Sequence, residues 1–295
     1  MLKTLSVRSC FVSPITALLV CAACNLNAQV ASENYASLLS AYLGQGSANG
    51  SQAVKNNSCV PTSTANGLSF LEFYQISVGN PDPFAFSPNT IATVNSLQTL
   101  MGTTAAGTTA AGAISGLNTY LSSPTGDPAP SVVTSQTFNP SALFLGNALS
   151  LNNAVQLGIL WGSITGGTFT PVNGGGGHFV SLTAMNLLGG AGTMTILDPW
   201  GNVSGNNAGT EGDFVSLNVS TVNLNGVGAV LQVTWTTNAP EDTTAIDGTG
   251  PTSFGGPGAT GYIAVDDLEA VPEPATMALM GAGALAVLAR RRCKA

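Results

Sequence analysis

Basic residues are scarce in this sequence. Lys and Arg number 7 against 14 Asp and Glu, and charged residues of all kinds make up 7% of the 295. Lys3 and Arg8 stand at the start and Arg290, Arg291, Arg292 and Lys294 at the end, so Lys55 alone serves the body of the chain. The stretch from Ser32 to Val271 holds 13 of the 14 acidic residues. Phosphate backbones are bound by Lys and Arg that displace counterions, so nucleic acid is excluded as a partner. The same deficit disfavours anionic polysaccharide or lipid as a tightly held ligand. Metal-ligating residues are rare too: there is one histidine, His178, and 5 cysteines. That leaves too few soft ligands for a zinc site, and no D-x-D-x-D-G loop is present to hold calcium. Asp82, Asp127, Asp242, Asp247, Asp266 and Asp267 therefore read as solvated carboxylates, and no metal or cofactor is expected. Apolar residues, at 44%, are abundant enough to bury a core, which argues against disorder.

The two ends read as addresses. Lys3 and Arg8 precede a mostly apolar run from Phe11 to Ala23, followed by small and polar residues. This is the pattern of a secretory signal peptide, residues 1–31, with cleavage expected between Ala28 and Ala31. Lipidation at Cys24 and a retained anchor are the alternatives. At the other end, Pro272-Glu273-Pro274 is followed by a mostly apolar run from Ala275 to Ala289 and then by Arg290-Arg291-Arg292. The run is shorter than the roughly 20 residues of an ordinary membrane span, and the basic cluster favours a cytoplasmic end. The segment 271–295, a short transmembrane helix between these two motifs, resembles the PEP-CTERM sorting signal. That resemblance implies recognition by an exosortase, a membrane enzyme of Gram-negative bacteria. It also implies an association with exopolysaccharide production, and a path from an inner-membrane precursor to the envelope, surface or extracellular matrix.

Once these ends are set aside, one cysteine remains, Cys59, so the mature chain forms no internal disulfide. By count alone Cys59 reads as a buried structural thiol or as a nucleophile. Its neighbours favour the second. A polar, loop-like stretch precedes it, Pro61 suits a first helical turn, and Leu68, Leu71, Phe73 and Tyr74 supply an apolar face beyond. A thiol at a helix N-terminus is favoured as thiolate, the form that attacks acyl groups. His178 follows four glycines and opens the run HFVSLTAMNLL, while AGTMTILDPWG follows Gly189-Gly190. These read as two strands of a hairpin. Antiparallel pairing then brings His178, at the start of one, to Asp198, at the end of the next. A carboxylate so placed fixes the imidazole tautomer and stabilises the imidazolium.

Three short motifs, Cys-x-Pro-Thr-Ser at 59–63, Gly-His-Phe-Val at 177–180 and Asp-Pro-Trp-Gly at 198–201, resemble the papain-like bacteriocin-leader peptidases and their wider relatives. The order Cys, His, then Asp or Asn is kept, with a long insert after the cysteine. The resemblance spans roughly Gln52 to Asn202. It implies an α+β, papain-like cysteine peptidase fold with N-terminal helices packed on an antiparallel sheet. It also implies hydrolysis of peptide or amide bonds in an extracellular peptide by a Cys59–His178–Asp198 triad. An oxyanion-hole glutamine before the cysteine is implied as well. Gln52 is its candidate, with Asn56 and Asn57 as substitutes. Val60 departs from the family, which has glycine after the cysteine. No ATP-binding or transporter segment accompanies the motifs, so a leader-processing exporter is not expected. A non-catalytic surface or exopolysaccharide-matrix protein on the same fold is the alternative, motivated by the charge-poor composition.

Elsewhere the pattern predicts helices over Asn89–Met101 and Thr103–Leu121, a loop over Pro124–Ser135, and a central strand at Val155–Trp161. Further strands are expected in DFVSLNVSTVNL and AVLQVTW. The peptidase-like domain is expected over 32–236, followed at 237–270 by a polar linker with a possible final strand in GYIAVDDL.

Overall fold

The computed structural model describes residues 28–32, 42–123, 129, 131–171, 176–201, 210–236 and 260–270. Helices dominate the first part: α1 (Gln52–Lys55), α2 (Cys59–Ser77), α3 (Ile91–Leu100), α4 (Ala110–Ser122) and α5 (Ala142–Ser150). The strands are β1 (Ala28–Ser32), β2 (Val133–Phe138), β3 (Ala154–Thr165), β4 (Thr168–Pro171), β5 (Gly177–Leu188), β6 (Ala191–Asp198), β7 (Asp213–Leu224), β8 (Gly228–Trp235) and β9 (Thr260–Ala270).

The strands β5, β6, β7 and β8 form an antiparallel meander. β8 then pairs β9, β9 pairs β3, and β3 pairs back to β5. The sheet thus closes on itself as a six-stranded antiparallel barrel. β1 is added to β5, β2 to β9 and β4 to β3. This closed barrel replaces the expected α+β papain-like fold of N-terminal helices packed on an antiparallel sheet. The difference lies in β9. Its eleven residues were expected as a possible final strand after a linker, yet they bridge β3 and β8 and remove both sheet edges. A bulge where β3 passes from Gly158 to Ile159 gives the local bend that closure requires.

Closure creates two cores. Inside the barrel, inward residues from all six strands meet: Val155, Leu157 and Ile159 of β3, Val180 and Leu182 of β5, Met194 and Ile196 of β6, Val215 and Leu217 of β7, Val233 of β8 and Ile263 of β9. Trp161 and Trp235 pack edge to face at 4.7 Å between ring centroids. Leu145 and Leu149 of α5 join the same cluster. The second core lies between helices and barrel wall, where Leu68, Leu71, Val94, Leu97 and Leu117 meet Ala154, Phe179, Leu197 and Val265. Each such fully buried side chain contributes roughly 1.5–3 kcal/mol.

Helix α2 is buried along most of its length because it is docked directly on the wall. Ser63 Oγ donates to the Phe179 carbonyl at 2.8 Å, and Ser181 Oγ donates to the Ser63 carbonyl at 3.2 Å. Gly67 faces β3 so closely that a Cβ there would overlap Gln156 Nε2. Helix α3 begins behind Thr90, whose hydroxyl accepts from the Thr93 N–H, an ordinary N-cap. Helix α4 begins only at Ala110, behind the Thr109 cap. The residues before it, expected as helix, form a tight turn instead, because Gly107 takes φ 91° and Thr104 and Gly107 exchange backbone hydrogen bonds. The end of the expected loop at 124–135 is already β2.

The expected signal peptide lies outside the described residues up to position 27, and its expected cleavage region falls in β1. The linker at 237–259 and the tail at 271–295 also lie outside them. Among the described residues, no helix is long and apolar enough to cross a membrane.

Candidate catalytic cleft

Cys59 is the first residue of α2 and is half-buried. The hydroxyl of Ser58, the N-cap, donates to the Val54 carbonyl at 2.7 Å and accepts from Gln98 Nε2 at 3.0 Å. It makes no side-chain capping bond to the helix. Pro61 sits where a missing N–H costs the helix nothing.

His178 and Asp198 come from neighbouring strands. Ser181 of β5 stands opposite Leu197 of β6, which places the first turn of β5 beside the end of β6. His178 Nε2 lies 2.8 Å from Asp198 Oδ1, and both residues are buried. The same carboxylate oxygen accepts from the Trp200 N–H at 2.8 Å. A carboxylate bonded to Nε2 holds the proton on that nitrogen and presents Nδ1 as the base. This is the only ion pair among the described residues.

Cys59 and His178 line one cleft of about 570 Å³. Its floor includes Gly158, Ile159 and Phe179, and one wall is the turn at Ala105–Gly107. Gly158 is required here, since a Cβ would lie 2.5 Å from Val265 Cγ1 and 2.6 Å from Phe179 Cε2. Asn57 also lines the cleft, with Nδ2 donating to the Ala53 carbonyl at 2.9 Å. Gln52 does not line it; that side chain is exposed and donates to Asn56 Oδ1 at 2.7 Å. Cys59 and His178 thus line one cleft and Asp198 is bonded to His178, while of the amide candidates only Asn57 lines it. Residues 272–274 and 290–292 lie outside the described residues.

A second group of ionisable residues was missed by sequence. Asp266 and Asp267, expected as solvated, are fully buried with Glu269 in β9. Asp266 stands opposite Leu157 and so faces the barrel interior, whereas Asp267 and Glu269 stand opposite Gln156 and Ala154 on the helix side. Burial and then the charge of Asp267 push Asp266 up to about 7. Burial pushes Asp267 up to about 6, moderated by the hydrogen bond from Gln136 Nε2 at 2.7 Å. Glu269 is held well above the usual carboxylate range by burial and then by Asp267. Their alternation with Ile263, Val265 and Leu268 was a strand signal, but nothing local reveals a strand covered on both faces. No group of three or more His, Cys, Asp or Glu among the described residues is arranged to hold a metal ion.

Residues 270–292 match the PEP-CTERM protein-sorting motif. This is an exported protein, sorted to the cell envelope and processed by an exosortase. The match begins at residue 270, where β9 ends, so the sorting signal follows directly on the closing strand of the barrel. The chain has no match among curated proteins and none among solved structures.

Proposed function

We propose that the exported barrel is a cysteine hydrolase acting on peptide or amide bonds outside the cell. The carrying observation is that Cys59, on the first turn of a buried helix, and His178, bonded to Asp198, line the same cleft. The reading rests on these three side chains and not on a papain-like fold. His178 Nδ1 takes the thiol proton, and Cys59 Sγ attacks the carbonyl to form a tetrahedral oxyanion. The imidazolium gives its proton to the leaving amine as the C–N bond breaks, leaving a thioester. Water, deprotonated by the same imidazole, then releases the acid and restores the thiol. Asp198 orients His178 throughout. The Cys59 N–H and the Asn57 amide are the oxyanion donors this cleft offers.

Iodoacetamide labelling tests this reading. Cys59 should react rapidly near neutral pH, and His178→Ala should slow it by about 10²-fold or more. Equal, slow labelling of both proteins would overturn the assignment. A non-catalytic surface or exopolysaccharide-matrix role is favoured by one observation, the engagement of Gln52 with Asn56 away from the cleft. Purified protein that turns over no peptide despite fast labelling would support that role. The sorting path is checked separately: alanines at Pro272-Glu273-Pro274 should leave an unprocessed, inner-membrane precursor.

A further inference from the structure

We propose that the cleft selects uncharged, apolar peptide segments, and that the turn Thr104–Gly107 is the wall that imposes this choice. The inference rests on the reading of Cys59 as nucleophile and adds the class of substrate to it. No Asp, Glu, Lys or Arg is among the described residues that line the cleft. Polar side chains there are limited to Asn57, Cys59, Thr108 and His178. The absence is selective, since 13 acidic residues lie between Ser32 and Val271.

A charged substrate side chain entering such a cleft loses water and finds no opposite charge. An apolar one gains contact with Leu160, Phe179 and Val265. The turn makes this surface rigid. Thr104 N–H donates to the Gly107 carbonyl at 3.1 Å, and Gly107 N–H to the Thr104 carbonyl at 3.0 Å. Below it the hydroxyls of Thr103 and Thr108 are bonded at 2.6 Å. Ala105 and Ala106 are therefore presented as small methyl groups on a pinned loop, exposed on their outer side, and they leave room for a side chain of the ligand.

The test uses peptidyl acyloxymethyl ketones that differ only in the side chain beside the electrophile: Leu, Ala, Asp or Lys. The Leu and Ala probes should label Cys59 at least about tenfold faster than the Asp and Lys probes. Ala106→Lys, a change at an exposed turn position, should raise the rate of the Asp probe over the Lys probe by about tenfold. Ala106→Asp should do the reverse. Iodoacetamide, which needs no side-chain pocket, reports the nucleophile separately in each protein. Asp or Lys probes as fast as Leu, with iodoacetamide labelling still dependent on His178, would overturn the specificity inference alone. Insensitivity of the probe ratios to either Ala106 change would overturn the role of the turn. Slow labelling by every reagent, independent of His178, would overturn the triad reading and this inference with it.

Discussion

Two sets of buried carboxylates sit on the same barrel in different company. Asp198, at the end of β6, accepts through one oxygen from both His178 and the Trp200 N–H. Asp266, on β9, is just as buried, yet among the described residues no side chain donates to it, and Asp267 accepts from Gln136. Burial penalises a charge in both places. Asp198 has a backbone donor and a potential cation beside it, whereas Asp267 has one amide donor and no cation. On β9 burial favours the protonated form, for Asp266 up to about 7 and for Asp267 up to about 6.

The contrast breaks most sharply at Asp198. Asp198→Ala should lower the labelling rate of Cys59 by about 10²–10⁴-fold through loss of the oriented imidazole. Asp266→Asn should leave that rate unchanged. Equal effects of the two substitutions would erase the distinction between a working and a structural carboxylate.

The next largest effect is on stability against pH. The folded values of Asp266, about 7, and Asp267, about 6, lie above the ordinary 3.8, and Glu269 shifts the same way. Between those limits the folded chain holds more protons than the unfolded one. Unfolding free energy should therefore fall as pH rises from about 4 through about 7. Urea denaturation of the full chain at pH 5 and pH 8 should differ by about 1–3 kcal/mol, with the acidic sample more stable. Asp266→Asn should flatten the difference. Greater stability at pH 8 would mean that these carboxylates are not buried as described.

Gln136 sharpens the comparison further. It donates to Asp267 and also to the Ala110 carbonyl at 2.9 Å, tying β2, β9 and α4 together. Gln136→Leu should cost about 1–2 kcal/mol, more at pH 8 than at pH 5, because an ionised Asp267 loses its one side-chain donor. The smallest effect is at the start of α4. Thr109→Ala removes the N-cap beside that junction and should cost about 1 kcal/mol by thermal melting, independent of pH.

Much of the local structure was legible. DFVSLNVSTVNL spans β7 from end to end, and the His178–Asp198 hairpin followed from two alternating runs and a Gly-Gly turn. The start of α2 at Cys59 followed from a polar stretch and a proline in the first turn. Less legible was the segment before α4, where repeated Ala and Thr resembled helix while Gly107 made a turn that now walls the cleft. Gln52 was placed by its distance from Cys59, but the short α1 directs it to Asn56 instead.

Sequence by itself determined the sorting tail, the positions of β3, β5, β6, β7 and β8 to within a few residues, and the pairing of His178 with Asp198. These depend on composition or on neighbours a few residues apart. Only the tertiary structure decided that the sheet closes, that Asp266, Asp267 and Glu269 are buried, and that Cys59 and His178 line one cleft. Those outcomes depend on contacts between residues about a hundred positions apart, as β3 with β9 and α2 with β5. Alternation within one strand states which side chains share a face; the strand or helix that covers that face is chosen by the packing of the whole chain.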